Sequence, residues 1–356
     1  MQNLIGIQKL AATAVLATLA GAVGCKSNSG TGTVSISGAG STFVYPVMTR
    51  WIEGYAQAHS NVQINYQSIG SGGGIQQVKE GTVDFGASDT ALTDQQLAEM
   101  KPVIQIPESA GPVCVTYNLP ELKQPLQLSP ESLAAIFLGT IKTWQDPAIA
   151  KDNPGVQLPK EPVVVVHRAE GSGTTNIFTT YLSAVSTEWQ SKAGKGNSVS
   201  WPTGIGGKGS EGVTGNIRQS PGAIGYVELT YAQQNHLPVA KIKNQAGQYV
   251  SATAAATTAA INAFSSRLAQ DPRTPIVNAP ATAKDAYPIA GLTFLIIPKD
   301  GAGKAKRSAL KSFVEYVINE GQATAGSMNY APLPDGVKQY DEQQLKQLTA
   351  DGLPLP

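Results

Sequence analysis

Three segments combine glycine with hydroxyl side chains where a strand pattern gives way to a helix pattern. They are Gly38-Ala39-Gly40-Ser41-Thr42, Gly70-Ser71-Gly72-Gly73-Gly74 and Glu170-Gly171-Ser172-Gly173-Thr174. A helix start exposes N–H groups that have no intrahelical acceptor and carry partial positive charge. Glycine lets an anion approach that backbone closely. Such a terminus can hold an oxyanion. Any one of the three also reads as an ordinary Ser/Thr cap. Three together, with Arg168 just before the third, favour an anion site. Arg168 can present a planar fork to an oxyanion, or form a surface salt bridge to nearby Glu170.

Asp89 ends the run Phe85-Gly86-Ala87-Ser88-Asp89 with a carboxylate. An ionised carboxylate only accepts hydrogen bonds. Inorganic phosphate near neutral pH still carries a proton to donate, and sulfate does not. Asp89 is therefore expected to accept a phosphate O–H and to reject a fully deprotonated oxyanion. The plainer reading is a helix cap, since Leu92 and Leu97 follow at helical spacing.

The elements that must carry these loops alternate strand and helix, which predicts α/β layering. Strands are expected at Val34–Ile36, Val62–Tyr66, Val83–Ala87, Val103–Ile106, Val113–Tyr117 and Leu292–Ile297. Val163–Val166 is a continuous β-branched run, predicted to be buried on both faces. Helices are expected at Phe43–Ala58, at Ile75–Glu80 with Gly81 as its stop, around Ile177–Leu182, and from Leu310 to near Gly321. Cys114, inside a strand pattern, reads as a small buried hydrophobe. The Ala/Thr-rich stretch 251–260 reads as exposed helix or loop.

Composition narrows the classes. The chain has 356 residues, 41% hydrophobic, with net charge +1, two cysteines and three histidines. That balance argues against a nucleic-acid partner. Two cysteines make no disulfide framework, and no Cys/His spacing indicates a metal site, although sequence distance leaves a spatial cluster open. No cofactor is expected. The apolar run Leu10–Ala20 is too short to span a membrane, so residues 1–24 read as a signal peptide. Ala22-Val23-Gly24-Cys25 resembles a bacterial lipobox, which would make Cys25 a lipidated first residue and the anchor to a membrane. Ala22 stands where that pattern prefers Leu, and simple cleavage with an incidental Cys25 is the alternative. Residues 25–33 read as a flexible tether.

Several segments together resemble a family. Gly38-Ala-Gly-Ser-Thr-Phe, Tyr66-Gln-Ser-Ile-Gly-Ser-Gly-Gly-Gly, Asp84-Phe-Gly-Ala-Ser-Asp and Arg168-Ala-Glu-Gly-Ser-Gly-Thr look like the phosphate-binding component of the bacterial phosphate ABC transporter. Trp201-Pro-Thr-Gly-Ile-Gly-Gly-Lys-Gly and Pro221-Gly-Ala-Ile-Gly-Tyr also match. The resemblance runs from about Val34 to the last helix. It implies a two-lobed periplasmic-binding-protein-like (type II) α/β fold with a ligand cleft between lobes. Lobe 1 would be 34–116 and 287–356, and lobe 2 would be 117–286. It implies phosphate contacts at Thr42, Phe43 (through its N–H), Ser71, Asp89, Arg168, Ser172, Gly173 and Thr174. It departs from the family at Glu170, where a shorter Asp is common. The implied partners are inorganic phosphate and the transmembrane subunits of an importer, at the periplasm or cell surface. A monomer is expected.

Other readings remain. The ligand could be sulfate, molybdate or a phosphonate, and a phosphate scavenger or sensor needs no transporter. A serine hydrolase or phosphatase is disfavoured, because no G-x-S-x-G elbow or Walker A run is present and His167 is no obvious base.

Overall fold

The structure is a computed structural model. It describes residues 32–356. The signal segment, Cys25 and most of the tether lie outside the described residues. Thr33–Pro356 forms one compact unit.

Eight strands make one sheet: β1 Val34–Gly40, β2 Val62–Ser68, β3 Phe85–Ser88, β4 Val103–Tyr117, β5 Val164–Arg168, β6 Ile205–Gly207, β7 Ala223–Glu228 and β8 Ala290–Pro298. Their order is β2-β1-β3-β8-β4-β7-β5-β6. The β1–β2 and β1–β3 pairs are parallel, as are β5–β6 and β5–β7. The antiparallel pairs β8–β3, β8–β4 and β4–β7 join the two parallel groups.

The helices that bear on the site are α1 Tyr45–Ala58, α2 Ser71–Glu80, α3 Asp94–Ala98, α4 Gly173–Val185, α5 Gly209–Gln219 and α6 Leu229–Gln234. The helix α7 Lys304–Ile318 packs against β1 and β4, and α8 Asp335–Leu345 packs against β4. Mixed α/β layering is as the alternating pattern predicts. The helix α1 buries Val47, Met48, Trp51 and Tyr55, a stripe at 3.6-residue spacing, and Pro46 sits in its first turn where no N–H is needed. The helix α2 ends at Gly81 in the left-handed conformation, φ 70°.

Four expectations are refined. The two short strands at 103–106 and 113–117 are one 15-residue strand, β4. It pairs with β8 up to Pro112 and with β7 from Val113, so one strand serves both halves of the sheet. The helix α2 begins at Ser71 rather than Ile75. The glycine run reads as loop by propensity, but a Cβ on Gly74 would lie 2.5 Å from Gly40 Cα, so close packing on β1 selects glycine inside a helix. Val163 and Val164 are only half-buried, because β5 has just the three-residue β6 between it and the sheet edge. The Ala/Thr-rich stretch forms a helix, Ala254–Ala263, which buries Ala256, Thr257, Ala260 and Ile261. Cys114 is fully buried, as expected of a small hydrophobe.

Buried acids recur in this fold. Asp341 on α8 is fully buried, and neither carboxylate oxygen has a hydrogen-bond partner. Burial first, and neighbouring Glu342 second, push it from its ordinary 3.8 up to about 9. A carboxyl raised in the folded state contributes stability below the unfolded value, and that contribution is lost as pH rises through the folded one. Asp341→Asn should therefore gain on the wild type between about pH 4 and 9, by on the order of 1 kcal/mol per pH unit. Thermal melts of both proteins at pH 5 and pH 8 measure this. An unchanged difference in Tm between the two pH values would refute it.

Candidate anion-binding site

The site lies where β1, β3 and β5 end and where α2 and α4 begin. The strand β1 delivers Ser41 and Thr42. The N–H of Ser41 donates to the Ala87 carbonyl at 2.9 Å, which ties this loop to the end of β3. Phe43 buries its ring in the core, edge-on to Tyr330 with 6.0 Å between ring centroids. Its backbone is held by Tyr330, whose hydroxyl donates to the Phe43 carbonyl at 2.7 Å. Ser71 opens α2, and its Oγ accepts the Asp89 N–H at 3.2 Å.

From the other half of the sheet, β5 delivers Arg168 at its last position. The chain then turns through Glu170 and Gly171 into α4. Ser172 caps that helix, its Oγ accepting the Thr175 N–H at 3.2 Å. The first-turn N–H groups of Gly173 and Thr174 have no carbonyl within their own helix to meet. A Cβ on Gly173 would sit 2.7 Å from both Cβ and N of Asp89 and 2.8 Å from Ser71 Oγ. Only glycine permits this approach of α4 to the first loops.

Asp89 is 2% exposed and Arg168 4%. Two hydroxyls donate to the carboxylate. Ser41 Oγ binds Oδ1, and Thr174 Oγ1 binds Oδ2 at 2.8 Å. Arg168 donates to Thr174 Oγ1 at 3.4 Å, so guanidinium, hydroxyl and carboxylate form a chain. Burial raises the Asp89 carboxyl above its usual range, while the bonds from Ser41 and Thr174 and the charge of Arg168 pull it back. Asp89 does not cap α3. That role belongs to Thr93, which forms a reciprocal capping box with Gln96.

Arg168 Nε donates to Glu170 Oε1 at 2.8 Å, and a second guanidinium nitrogen binds the same oxygen. The longer glutamate thus reaches the arginine. Its carboxylate also accepts the Gly209 N–H at 3.1 Å, which fastens the start of α5 to the site.

All eight sequence-predicted positions, Thr42, Phe43, Ser71, Asp89, Arg168, Ser172, Gly173 and Thr174, lie on these converging loops. Sequence reasoning missed four others. Ser41 was read only as part of a loop. Ser210 shares a 2.9 Å hydrogen bond with Thr42 Oγ1. Tyr231 donates to the Thr42 carbonyl at 2.6 Å. Glu108 on β4 is fully buried, and neither carboxylate oxygen has a hydrogen-bond partner; the nearby Thr293 Oγ1 donates to the Ser109 carbonyl at 3.4 Å. Of these, only Ser41 had a local signal, its place beside Thr42.

The two halves of the sheet touch across the site. The Gly72 N–H donates to the Gly171 carbonyl at 3.0 Å, and Thr90 Oγ1 meets Asn197 Oδ1 at 3.4 Å. Asp89 also borders an adjoining cavity of about 410 Å³. Arg273 on its wall is paired with Asp94 at 2.8 Å and Asp271 at 3.0 Å, so that space offers an anion little. His167 turns its Nδ1 to the Arg168 carbonyl at 3.0 Å and stacks on Trp201 at 4.7 Å, which leaves it poorly placed to activate Ser172. Among the described residues no group of three or more His, Cys, Asp or Glu side chains could hold a metal ion.

Known proteins share this architecture. The family model for the PBP superfamily domain matches residues 27–320. A phosphate-binding protein PstS from Xylella fastidiosa (strain Temecula1) is 44% identical over 313 residues, 87% of this chain and 85% of its own. The phosphate-binding protein PstS of Haemophilus influenzae is 39% identical, covering 88% and 92%. That of Methanocaldococcus jannaschii is 38% identical, covering 86% and 84%. Among solved structures, a high affinity periplasmic phosphate-binding protein bound with phosphate (PfluDING) superposes with a TM-score of 0.68 at 24% identity, covering 87% and 93%. At that identity the likeness speaks for the two-lobed fold alone. The chain belongs to the PBP superfamily and, within it, to the family of the PstS phosphate-binding proteins.

Proposed function

We propose that this protein binds inorganic phosphate outside the cytoplasm and delivers it to an ABC-type importer. One observation carries the reading: a buried carboxylate, Asp89, is linked through Thr174 in the first turn of α4 to the guanidinium of Arg168. A site for any anion would need only the arginine and the helix start. The added carboxylate suits an anion that brings its own proton. Relatives named as phosphate-binding proteins, 38–44% identical over most of the chain, support the same ligand.

The proposed contacts are the hydroxyls of Thr42, Ser71, Ser172 and Thr174, the N–H groups of Phe43, Gly173 and Thr174, the Asp89 carboxylate and the Arg168 fork. Lobe 1 comprises 34–116 and 287–356, and lobe 2 comprises 117–286. The exchange of partners by β4 at Pro112 and Val113 supports a division near there. No catalytic step is proposed. The protein acts as a monomer, anchored to a membrane through lipid on Cys25. Among the described residues no helix is long and apolar enough to cross a membrane.

Titration calorimetry of the mature chain should give one phosphate per chain with micromolar or tighter affinity, about −8 kcal/mol or better. No heat and no thermal stabilisation at millimolar phosphate would refute the reading. Asp89→Asn removes the charge and supplies a donor. It should admit sulfate, with a gain of roughly tenfold or more in sulfate affinity. Arg168→Lys keeps the charge but loses the fork, so phosphate and sulfate should weaken together. If Asp89→Asn leaves sulfate as excluded as before, selectivity resides elsewhere. For the anchor, the full chain expressed in a bacterial host should partition with membranes and carry acyl mass at its N-terminus. Cys25→Ala should abolish both, and a wild type without acyl mass would end the lipoprotein reading.

A further inference from the structure

We infer that Ser41 is a positioning residue for anion selectivity, holding Asp89 as a hydrogen-bond acceptor turned toward the ligand. The inference rests on the phosphate reading above and adds a residue that makes no proposed contact with the anion. Ser41 is fully buried. Its Oγ accepts the Val44 N–H at 3.2 Å, from the turn that opens α1. That bond occupies a lone pair and fixes the hydroxyl rotor, so the single Ser41 proton goes to Asp89 Oδ1. Thr174 Oγ1 serves Oδ2 in the same way, taking Arg168 as its own donor. Each carboxylate oxygen then has a hydroxyl donor, and the carboxylate retains acceptor capacity for the ligand.

Ionisation makes this arrangement selective. Burial favours the protonated carboxyl, and Ser41 is the first of the groups that oppose it. Other titratable groups coupled to Asp89 are Arg168 on β5, Glu108 on β4 and Tyr66 on β2. Burial pushes both Glu108 and Tyr66 well above their ordinary values, so each tends toward its uncharged form. Arg168 is shared with Glu170. The two hydroxyls therefore do much to keep Asp89 ionised. Once protonated, Asp89 becomes a donor. Sulfate then meets a complementary O–H, and the phosphate proton loses its acceptor.

Phosphate and sulfate affinities measured by calorimetry at pH 5 and pH 8, on wild type, Ser41→Ala and Ser41→Thr, test this. Ser41→Ala should bind sulfate about tenfold more tightly than wild type at pH 5 and show no gain at pH 8. Ser41→Thr keeps the hydroxyl and should restore exclusion at both. In a Glu108→Gln background the acid-side gain should persist, and its loss there would move the pH response to Glu108 and overturn the inference. An equal gain at both pH values would mean simple loosening of the pocket and would also overturn it, as would no gain at all. A wild type that binds no phosphate at pH 8 would remove the phosphate reading and this inference together. Normal phosphate binding with a flat Ser41→Ala profile removes the inference alone.

Discussion

A carboxylate, Asp89, buried where the starts of α2 and α4 converge is the constraint on which the rest of this molecule depends. Asp89 and an incoming oxyanion repel each other unless a proton lies between them. Burial favours the neutral carboxyl and so works against that discrimination. The surrounding groups answer both problems. Ser41 and Thr174 donate to the two oxygens, and Arg168 supports Thr174 from behind. These donors come from β1, from the start of α4 and from β5, so the charge state of one side chain depends on elements from both halves of the sheet.

Arg168 is less available than its charge suggests. It is paired with Glu170, which also holds the Gly209 N–H. With the carboxylates of Asp89 and Glu170 facing the single guanidinium of Arg168, these side chains carry net negative charge before any anion enters. In the proposed reading, attraction comes largely from N–H groups at helix starts and from hydroxyls, whose positions are fixed by the fold. Discrimination by such a site is geometric, since each donor and acceptor has one partner it can serve. The glycine at 173 is part of this geometry, because it lets α4 come within van der Waals reach of Asp89.

Much of the site was legible because its signals are local. A strand, a glycine and a hydroxyl in sequence mark a strand-to-helix turn wherever it occurs. Arg168 and Asp89 stood out because each follows a strong strand pattern. What stayed hidden is carried by contacts distant in sequence. Ser210 and Tyr231 meet Thr42 across 168 and 189 residues. Glu108 lies between the two short strand patterns at 103–106 and 113–117, where the local sequence gives no strand. The fold was readable to the same depth. Strand and helix patterns predict α/β layering, but the fusion of two short runs into β4 depends on which neighbours it finds. The early start of α2 depends on the closeness of Gly74 to Gly40, which no propensity expresses.

The strand β4 carries a consequence of its own. Its first ten positions lie beside β8, with Glu108 skipped in the register, and its last five beside β7, with the change at Pro112 and Val113. A side chain in a strand alternates faces with each residue. Adding or deleting one residue within 103–117 would turn the inward face outward on one side of the change. The other side would keep its register only if the strand bulged. One irregularity is already present, between Thr293 and Phe294, opposite Glu108. Edge strands such as β2 and β6 have a partner on one side only and can drift in length as the protein diverges. The length of β4 is fixed by two sets of neighbours at once, so insertions should be tolerated in the edge strands before they are tolerated there.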